Sequence, residues 1–172
     1  HNKVGDVTLM GISQLGISIP NFWLAILLII LFAINLRWLP AGGFPGWEEG
    51  FWVCLRALLL PSLALATVVG AILARITRSS VLEVFREDYV RTARAKGLSK
   101  QATLWRHVLR NALIPVLTVT GIQFSALLTG TVVVENVFHI PGLGSLVLKA
   151  INNRDTIVVE NVVLLLATMV IV

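Results

Sequence analysis

The sequence predicts an all-α protein, a polytopic bundle of transmembrane helices. Three observations support this prediction: the 172-residue chain is 56% hydrophobic, only 13% of it is charged, and its mean hydropathy is +0.86. Soluble domains carry about 25% charged residues. Because so few charges are available to cover a water-exposed surface, we expect lipid to be the solvent around much of this chain.

Long apolar stretches predict the individual membrane spans. A helix needs about 20 apolar residues to cross the bilayer. The four predicted spans are about residues 7–36, 55–76, 106–134 and 157–172. Pro20, Pro61 and Pro115 lie inside the first three, where proline removes a backbone hydrogen bond and bends a helix. The fourth stretch is short and the chain starts with His1, so we expect a single transmembrane domain over 1–172 that is truncated at both ends.

A basic stretch between the second and third spans predicts the orientation. Residues 75–111 hold nine of the 14 Lys and Arg residues against three acidic residues, an excess of six positive charges. Placing one Arg at the centre of a membrane helix costs about 2.5–3.5 kcal/mol. These charges therefore lie outside the bilayer, and the positive-inside rule places the loop 77–105 in the cytoplasm.

The other charged regions agree with this orientation. The loop between the first two spans contains Glu48 and Glu49 and is rich in Gly, Pro and Trp. This composition is typical of a loop at the membrane interface, on the side opposite the basic loop. The sequence pI is about 10.2, but the basic residues are collected in one loop, where membrane topology explains them. We therefore expect membrane lipid and no nucleic acid as a partner.

The basic loop itself predicts a short exposed helix. Asp88 can cap its start, and Gly97 can end it, because Gly is favoured just past a helix C-terminus. Ser99 can then cap the helix that follows. Ala93 and Gly97 are four residues apart, so we expect them to form a flat spot that another protein can approach closely. On charge alone, an ordinary solvated loop is the favoured explanation of this stretch.

Four stretches then resemble one known family. Tyr89–Ser99 followed by Arg106–Pro115 is similar to the cytoplasmic "EAA" loop of ABC importer permeases, with matches at Ala93, Gly97 and Leu109. The pattern departs from the family's at four positions, which is typical of the branch for oligopeptides, dipeptides and nickel: Arg91, Thr92, His107 and Arg110. The other three stretches that resemble this branch are Ser18–Phe22, Trp38–Gly43 and Val134–Gly144.

The resemblance implies a permease fold of the type I ABC importer and a set of partners. These are two ATP-binding subunits, a second, homologous permease subunit and an external solute-binding protein, all at a bacterial inner membrane. The loop helix 88–98 would seat in a cleft of an ATP-binding subunit. The residues expected at this coupling contact are Asp88, Arg91, Ala93, Gly97 and Leu98. Peptides are the expected solute, with nickel or glutathione as alternatives.

The sequence gives no sign of chemistry within the chain itself. There is no Ser/His/Asp arrangement, no paired carboxylates and no phosphate-binding glycine loop, so we expect a transport subunit that needs no cofactor and leaves ATP hydrolysis to its partners. Cys54 is the single cysteine and is expected to pack in the interior. His139 has no metal-binding partner at ligand spacing.

Two other classes of membrane protein stay open at this point. A secondary transporter or channel needs ionisable residues or a broken helix at the bilayer midplane. The largely uncharged spans argue against it. An intramembrane enzyme needs polar catalytic groups that face each other within the spans, and none are evident.

Overall fold

The computed structural model describes residues 10, 11, 14, 16 and 18–171, without the side chains of 128–130. The described part is helical and contains no strand, which confirms the all-α prediction. The first helix, α1 (Asn21–Leu28), continues as a π-helical segment (Ile29–Asn35). A short 3-10 helix (Trp47–Glu49) and α2 (Phe51–Val84) follow it. The basic loop holds α3 (Asp88–Ala95), α4 (Lys100–Thr103) and a π-helical segment (Leu104–Val108). The remaining helices are α5 (Leu109–Val137), α6 (Leu143–Asn152) and α7 (Thr156–Ile171).

The first predicted span is interrupted rather than bent. The backbone leaves the helical conformation at Ile19 and Pro20, and α1 starts at Asn21 with Pro20 as its extended N-cap residue. Proline tolerates this place because it lacks the N–H group that a helix start would leave unpaired. The predicted residues 7–9, 12, 13, 15 and 17 lie outside the described part of the chain.

Two described helical stretches have the length and composition to cross a membrane. One is α2, Phe51–Val84, and the other is Lys100–Leu127, which runs from α4 through the π-helical segment into α5. Only 28% and 11% of their most apolar windows are buried within the chain, so they are not the buried core helices of a soluble domain. Asn21–Asn35 and Thr156–Ile171 are shorter apolar helices. Arg56 lies in the second turn of α2 and is exposed, so the second predicted span does carry a charge.

The described residues form two compact units. One contains Ser18–Val68 and Phe124–Val172, and its core joins α1, α2 and α5. Phe138 and Leu60 are completely or almost completely buried there, beside the small residues Ala25 and Ala64. Small side chains at helix contacts let the backbones approach closely, which favours packing where the solvent is lipid.

The other unit contains Val69–Gln123 and the described residues among 1–17. It holds the whole basic loop. Several residues from this loop and from the start of α5 are buried in the unit: Val90, Ala93, Thr103, Val108 and Ala112. The loop is therefore packed into its own unit by an apolar side, although most of its charged residues remain exposed.

Candidate functional site

The short helix α3 lies at the centre of the basic loop, and its start differs from the prediction. Glu87, not Asp88, is the N-cap residue, and no side chain caps the helix. Asp88 is instead the first helical residue, where its charge suits the positive end of the helix dipole. Its carboxylate pairs with Arg91 at 3.4 Å. Both side chains are largely exposed, so this pair contributes little to stability.

The end of α3 follows the prediction. Gly97 has φ +91°, a conformation that side-chain-bearing residues rarely adopt. The Gly97 N–H group donates to the Arg94 carbonyl at 3.0 Å, and the Leu98 N–H group donates to the Ala93 carbonyl at 3.3 Å. This pair of bonds is a Schellman motif, which satisfies carbonyls that the helix end would leave unpaired.

The next helix begins two residues later, at a capped start. The Ser99 hydroxyl oxygen accepts a hydrogen bond from the Ala102 N–H group at 3.2 Å, as its N-cap position predicts. The hydroxyl of Thr103, which is buried, donates back to the Ser99 carbonyl at 2.9 Å. The turn between α3 and α4 is thus defined on one side by Gly97 and on the other by Ser99.

Replacing Ser99 by alanine is expected to destabilise the start of α4 by about 0.5–2 kcal/mol, because the Ala102 N–H group loses its acceptor. Hydrogen exchange of the Ala102 amide measures this directly and should become faster. Ser99→Asp is the control, since an aspartate oxygen can accept the same bond. Equal exchange rates for the alanine variant and the wild type would contradict the cap.

The two faces of α3 differ, and this corrects the predicted flat spot. Val90 and Ala93 are three residues apart, so they share one helix face, and they are only 1% and 8% exposed. Ala93 therefore packs mainly inside its unit, and only a small part of it remains accessible. Gly97 is exposed, and a Cβ atom built on it would meet nothing within 4 Å. The part of the flat spot that faces outward is Gly97 alone.

A groove of about 400 Å³ lies beside α3. Its lining residues come from α3, from the turn after it and from the π-helical segment: Tyr89, Thr92, Ala93, Lys96, Leu98 and His107. Of the five residues predicted at the coupling contact, the structure places Ala93 and Leu98 in this groove. Asp88, Arg91 and Gly97 are exposed on the same short segment.

A hydrogen bond that the sequence did not indicate connects α3 with α5. The Asn111 side-chain amide donates to the Tyr89 hydroxyl at 2.7 Å and to the His107 carbonyl at 3.3 Å. The two side chains are 22 positions apart, beyond the reach of any helical periodicity. Their pairing was therefore not predictable from local pattern.

In the other unit, polar contacts hold together residues 135–145, a segment that we call the Glu135 turn. The Glu135 carboxylate accepts bonds from the Ser145 N–H group at 2.7 Å and from the Thr131 hydroxyl at 3.1 Å. The Gly43 N–H group donates to the Phe138 carbonyl at 2.7 Å. Two of the stretches that carried the resemblance, Trp38–Gly43 and Val134–Gly144, therefore meet in this unit.

The described residues bring no metal-binding cluster together. No group of three His, Cys, Asp or Glu side chains in that part of the chain could hold an ion. The Cys54 side chain is buried, and its thiol donates to the Gly46 carbonyl at 3.1 Å, which agrees with a packing role.

Comparison of the sequence with known protein families identifies the family of this chain. The sequence profile of the family described as "Binding-protein-dependent transport system inner membrane component" matches residues 1–172. The chain belongs to this family. Its helical fold agrees with that of a membrane permease, and the resemblance of the chain to ABC importer permeases is confirmed.

Individual relatives of this permease family are also similar. A putative peptide transport system permease protein of Brucella suis is 47% identical over 94% of the chain and 51% of the relative. The di/tripeptide transport system permease protein DppB of Pseudomonas aeruginosa is 45% identical over 96% of the chain and 55% of the relative. The glutathione transport system permease protein GsiC of Escherichia coli O1:K1 / APEC is 45% identical over 96% of the chain and 51% of the relative. The chain thus spans about half the length of these relatives.

Proposed function

We propose that the chain is part of the translocation subunit of an ABC importer that carries di- or oligopeptides across a bacterial inner membrane. The support is its membership of the permease family and its 45–47% identity to relatives named for peptide transport. The exposed apolar surfaces of α2 and α5 are suited to lipid and to contact with other transmembrane helices.

The proposed coupling site is α3 with the turn that follows it. The observation that carries this proposal is a short, charged helix whose far end is fixed by a Schellman motif and whose flank is an open groove. Asp88, Arg91, Gly97 and Leu98 would contact a cytoplasmic ATP-binding subunit. Ala93 would act differently, because its side chain is buried and holds the helix against its own unit.

The remaining partners complete this proposal. Two ATP-binding subunits hydrolyse ATP, a second permease subunit completes the pathway, and an external solute-binding protein delivers the solute. The loop 77–105 then lies in the cytoplasm, where its excess of basic residues is favourable.

Glutathione is the second candidate solute. The relative named for glutathione transport is as similar to this chain as the relative named for di- and tripeptides, at 45% identity in both cases. Glutathione is itself a tripeptide, so the two candidates share a zwitterionic peptide chemistry.

Transport assays in proteoliposomes test the function. The full-length permease is reconstituted with its partner subunits, and uptake of labelled dipeptide, tripeptide and glutathione is followed with and without ATP. Uptake of at least one of these solutes only in the presence of ATP supports the proposal. ATP-independent uptake by the permease alone would instead indicate a secondary transporter or channel.

Reversing the charge at Arg91 is expected to reduce the amount of ATP-binding subunit retained by the purified permease several-fold. Arg91 is exposed on α3, and reversing a charge in a complementary interface costs several kcal/mol. Retention is measured by co-purification of Arg91→Glu. The matched control is Arg106→Glu, the same charge change at an exposed residue of the same loop outside the proposed contact. Equal losses in both variants would point to net loop charge and against a contact at α3.

A further inference from the structure

The coupling role proposed for α3 requires a connection from this helix to a membrane helix. A helix that only lay on the surface of its unit could be displaced without moving anything else. The inner face of α3 supplies apolar packing through Val90 and Ala93. Apolar packing resists separation, but the hydrophobic effect that drives it is non-directional.

The directional contact is the hydrogen bond between Tyr89 and Asn111. Tyr89 lies in the first turn of α3, and Asn111 lies in the first turn of α5. A side-chain amide has two N–H groups, and those of Asn111 point to the Tyr89 hydroxyl and the His107 carbonyl. One hydrogen of the amide is thus fixed by the π-helical segment that leads into α5, and the other hydrogen holds α3.

We propose that Tyr89 and Asn111 are the positioning residues that carry the displacement of α3 into α5 during transport. This inference rests on the coupling role proposed above. Neither residue needs to touch solute or nucleotide for this task. Their bond fixes the register between the two helices, so that a push on α3 shifts the start of α5 with it.

The size of the expected effect follows from the exposure of the bond. Tyr89 is 41% exposed and Asn111 is also exposed, so water competes for both groups. A hydrogen bond in such a setting contributes modestly, and its loss should change a coupled equilibrium by roughly two- to tenfold. This is too small to prevent folding and large enough to change the efficiency of coupling.

The experiment measures peptide transported per ATP hydrolysed by the complete transporter in proteoliposomes. Tyr89→Phe removes only the hydroxyl, and Asn111→Ala removes the amide. Each is expected to lower the ratio roughly two- to tenfold while the subunits still co-purify. The double variant should be no worse than Asn111→Ala, because both lack the bond between the two helices and the bond to the His107 carbonyl.

A rescue variant separates the bond from general structural damage. In Asn111→Asp the carboxylate can accept a bond from the Tyr89 hydroxyl, with donor and acceptor exchanged. Its ratio should exceed that of Asn111→Ala, which also lacks the bond to the His107 carbonyl, and should fall when Tyr89→Phe is added. If Tyr89→Phe does not assemble, the comparison of Asn111→Ala with Asn111→Asp tests the same bond.

A matched control removes a hydroxyl without touching a link between helices. Thr118 lies on α5 and donates to the carbonyl of Ile114, one turn earlier in the same helix, at 3.2 Å. Thr118→Val should leave the ratio unchanged. A Tyr89→Phe transporter with the wild-type ratio, or losses that add in the double variant, would overturn the inference while the coupling role of α3 stands. A wild-type complex without ATP-dependent uptake would instead refute the proposed function itself.

Discussion

Replacing Gly144 by alanine is expected to destabilise the permease by about 1–3 kcal/mol, the usual cost of overpacking a well-packed site. Gly144 is buried at the start of α6, and a Cβ atom on it would lie 2.7 Å from the Cα atom of Val132 in α5. A backbone atom in the middle of a helix cannot move aside as a flexible side chain can. The alanine would push α6 away from α5 and would weaken the 2.7 Å bond between the Ser145 N–H group and Glu135.

Thermal unfolding of the purified full-length permease in detergent measures this effect. Gly144→Ala should lower the unfolding midpoint and Gly144→Val should lower it further. Gly70→Ala is the matched control, because a Cβ atom at Gly70 in α2 would meet nothing within 4 Å. An unchanged midpoint for Gly144→Ala would mean that α5 and α6 do not pack this closely.

A comparison with Gly142 separates backbone from side-chain contact. A Cβ atom at Gly142 would meet the carboxyl group of Glu135, the end of a flexible side chain. Glu135 can turn away at the cost of its bonds to Ser145 and Thr131. Gly142→Ala should therefore destabilise the Glu135 turn less than Gly144→Ala does.

The helical class of the fold was predictable because continuous apolar runs of about 20 residues are typical of transmembrane helices. Helix boundaries were less predictable, and α2 shows why: apolar residues suggest a span at 55–76, whereas the helix runs from Phe51 to Val84. An apolar run reflects the thickness of the bilayer. Backbone hydrogen bonds do not depend on that thickness, so a helix can continue past the apolar run into the polar residues beyond it.

In the proposed coupling site, the features that depend only on neighbouring residues were more predictable than those that depend on packing. Gly97 and Ser99 were placed correctly, since a positive φ and an N-cap bond involve only neighbouring residues. Ala93 was misplaced because periodicity shows which residues share a face, not which face packs inward. Its neighbour Val90, three positions earlier on the same face, carries the signal that this face is apolar.

Replacing Gly97 by arginine is expected to reduce ATP-dependent uptake at least about tenfold, the largest effect of any change on the basic loop. Two independent effects act at this residue. Its φ of +91° makes any side chain with a Cβ unfavourable, by roughly 1–2 kcal/mol. Under the proposed coupling, a long side chain would also occupy the space that an ATP-binding subunit needs.

Three substitutions separate these two effects. Gly97→Ala adds strain with little bulk, whereas Gly97→Asn adds bulk with less strain, because asparagine adopts left-handed conformations more readily than other residues. Gly97→Arg adds both. Uptake, retained ATP-binding subunit and the unfolding midpoint are measured for each variant in the complete transporter.

The asparagine variant decides between the two explanations. Within the chain, nothing lies within 4 Å of a Cβ atom at Gly97, so its side chain meets no obstacle from its own permease. If Gly97 is needed only to end α3, Gly97→Asn should retain more uptake than Gly97→Ala. If an ATP-binding subunit packs against Gly97, Gly97→Asn should lose subunit and uptake at least as strongly as Gly97→Ala, with a smaller change in the unfolding midpoint. The second pattern would identify Gly97 as a contact, because the variant with the smaller backbone strain would then show the larger loss of association.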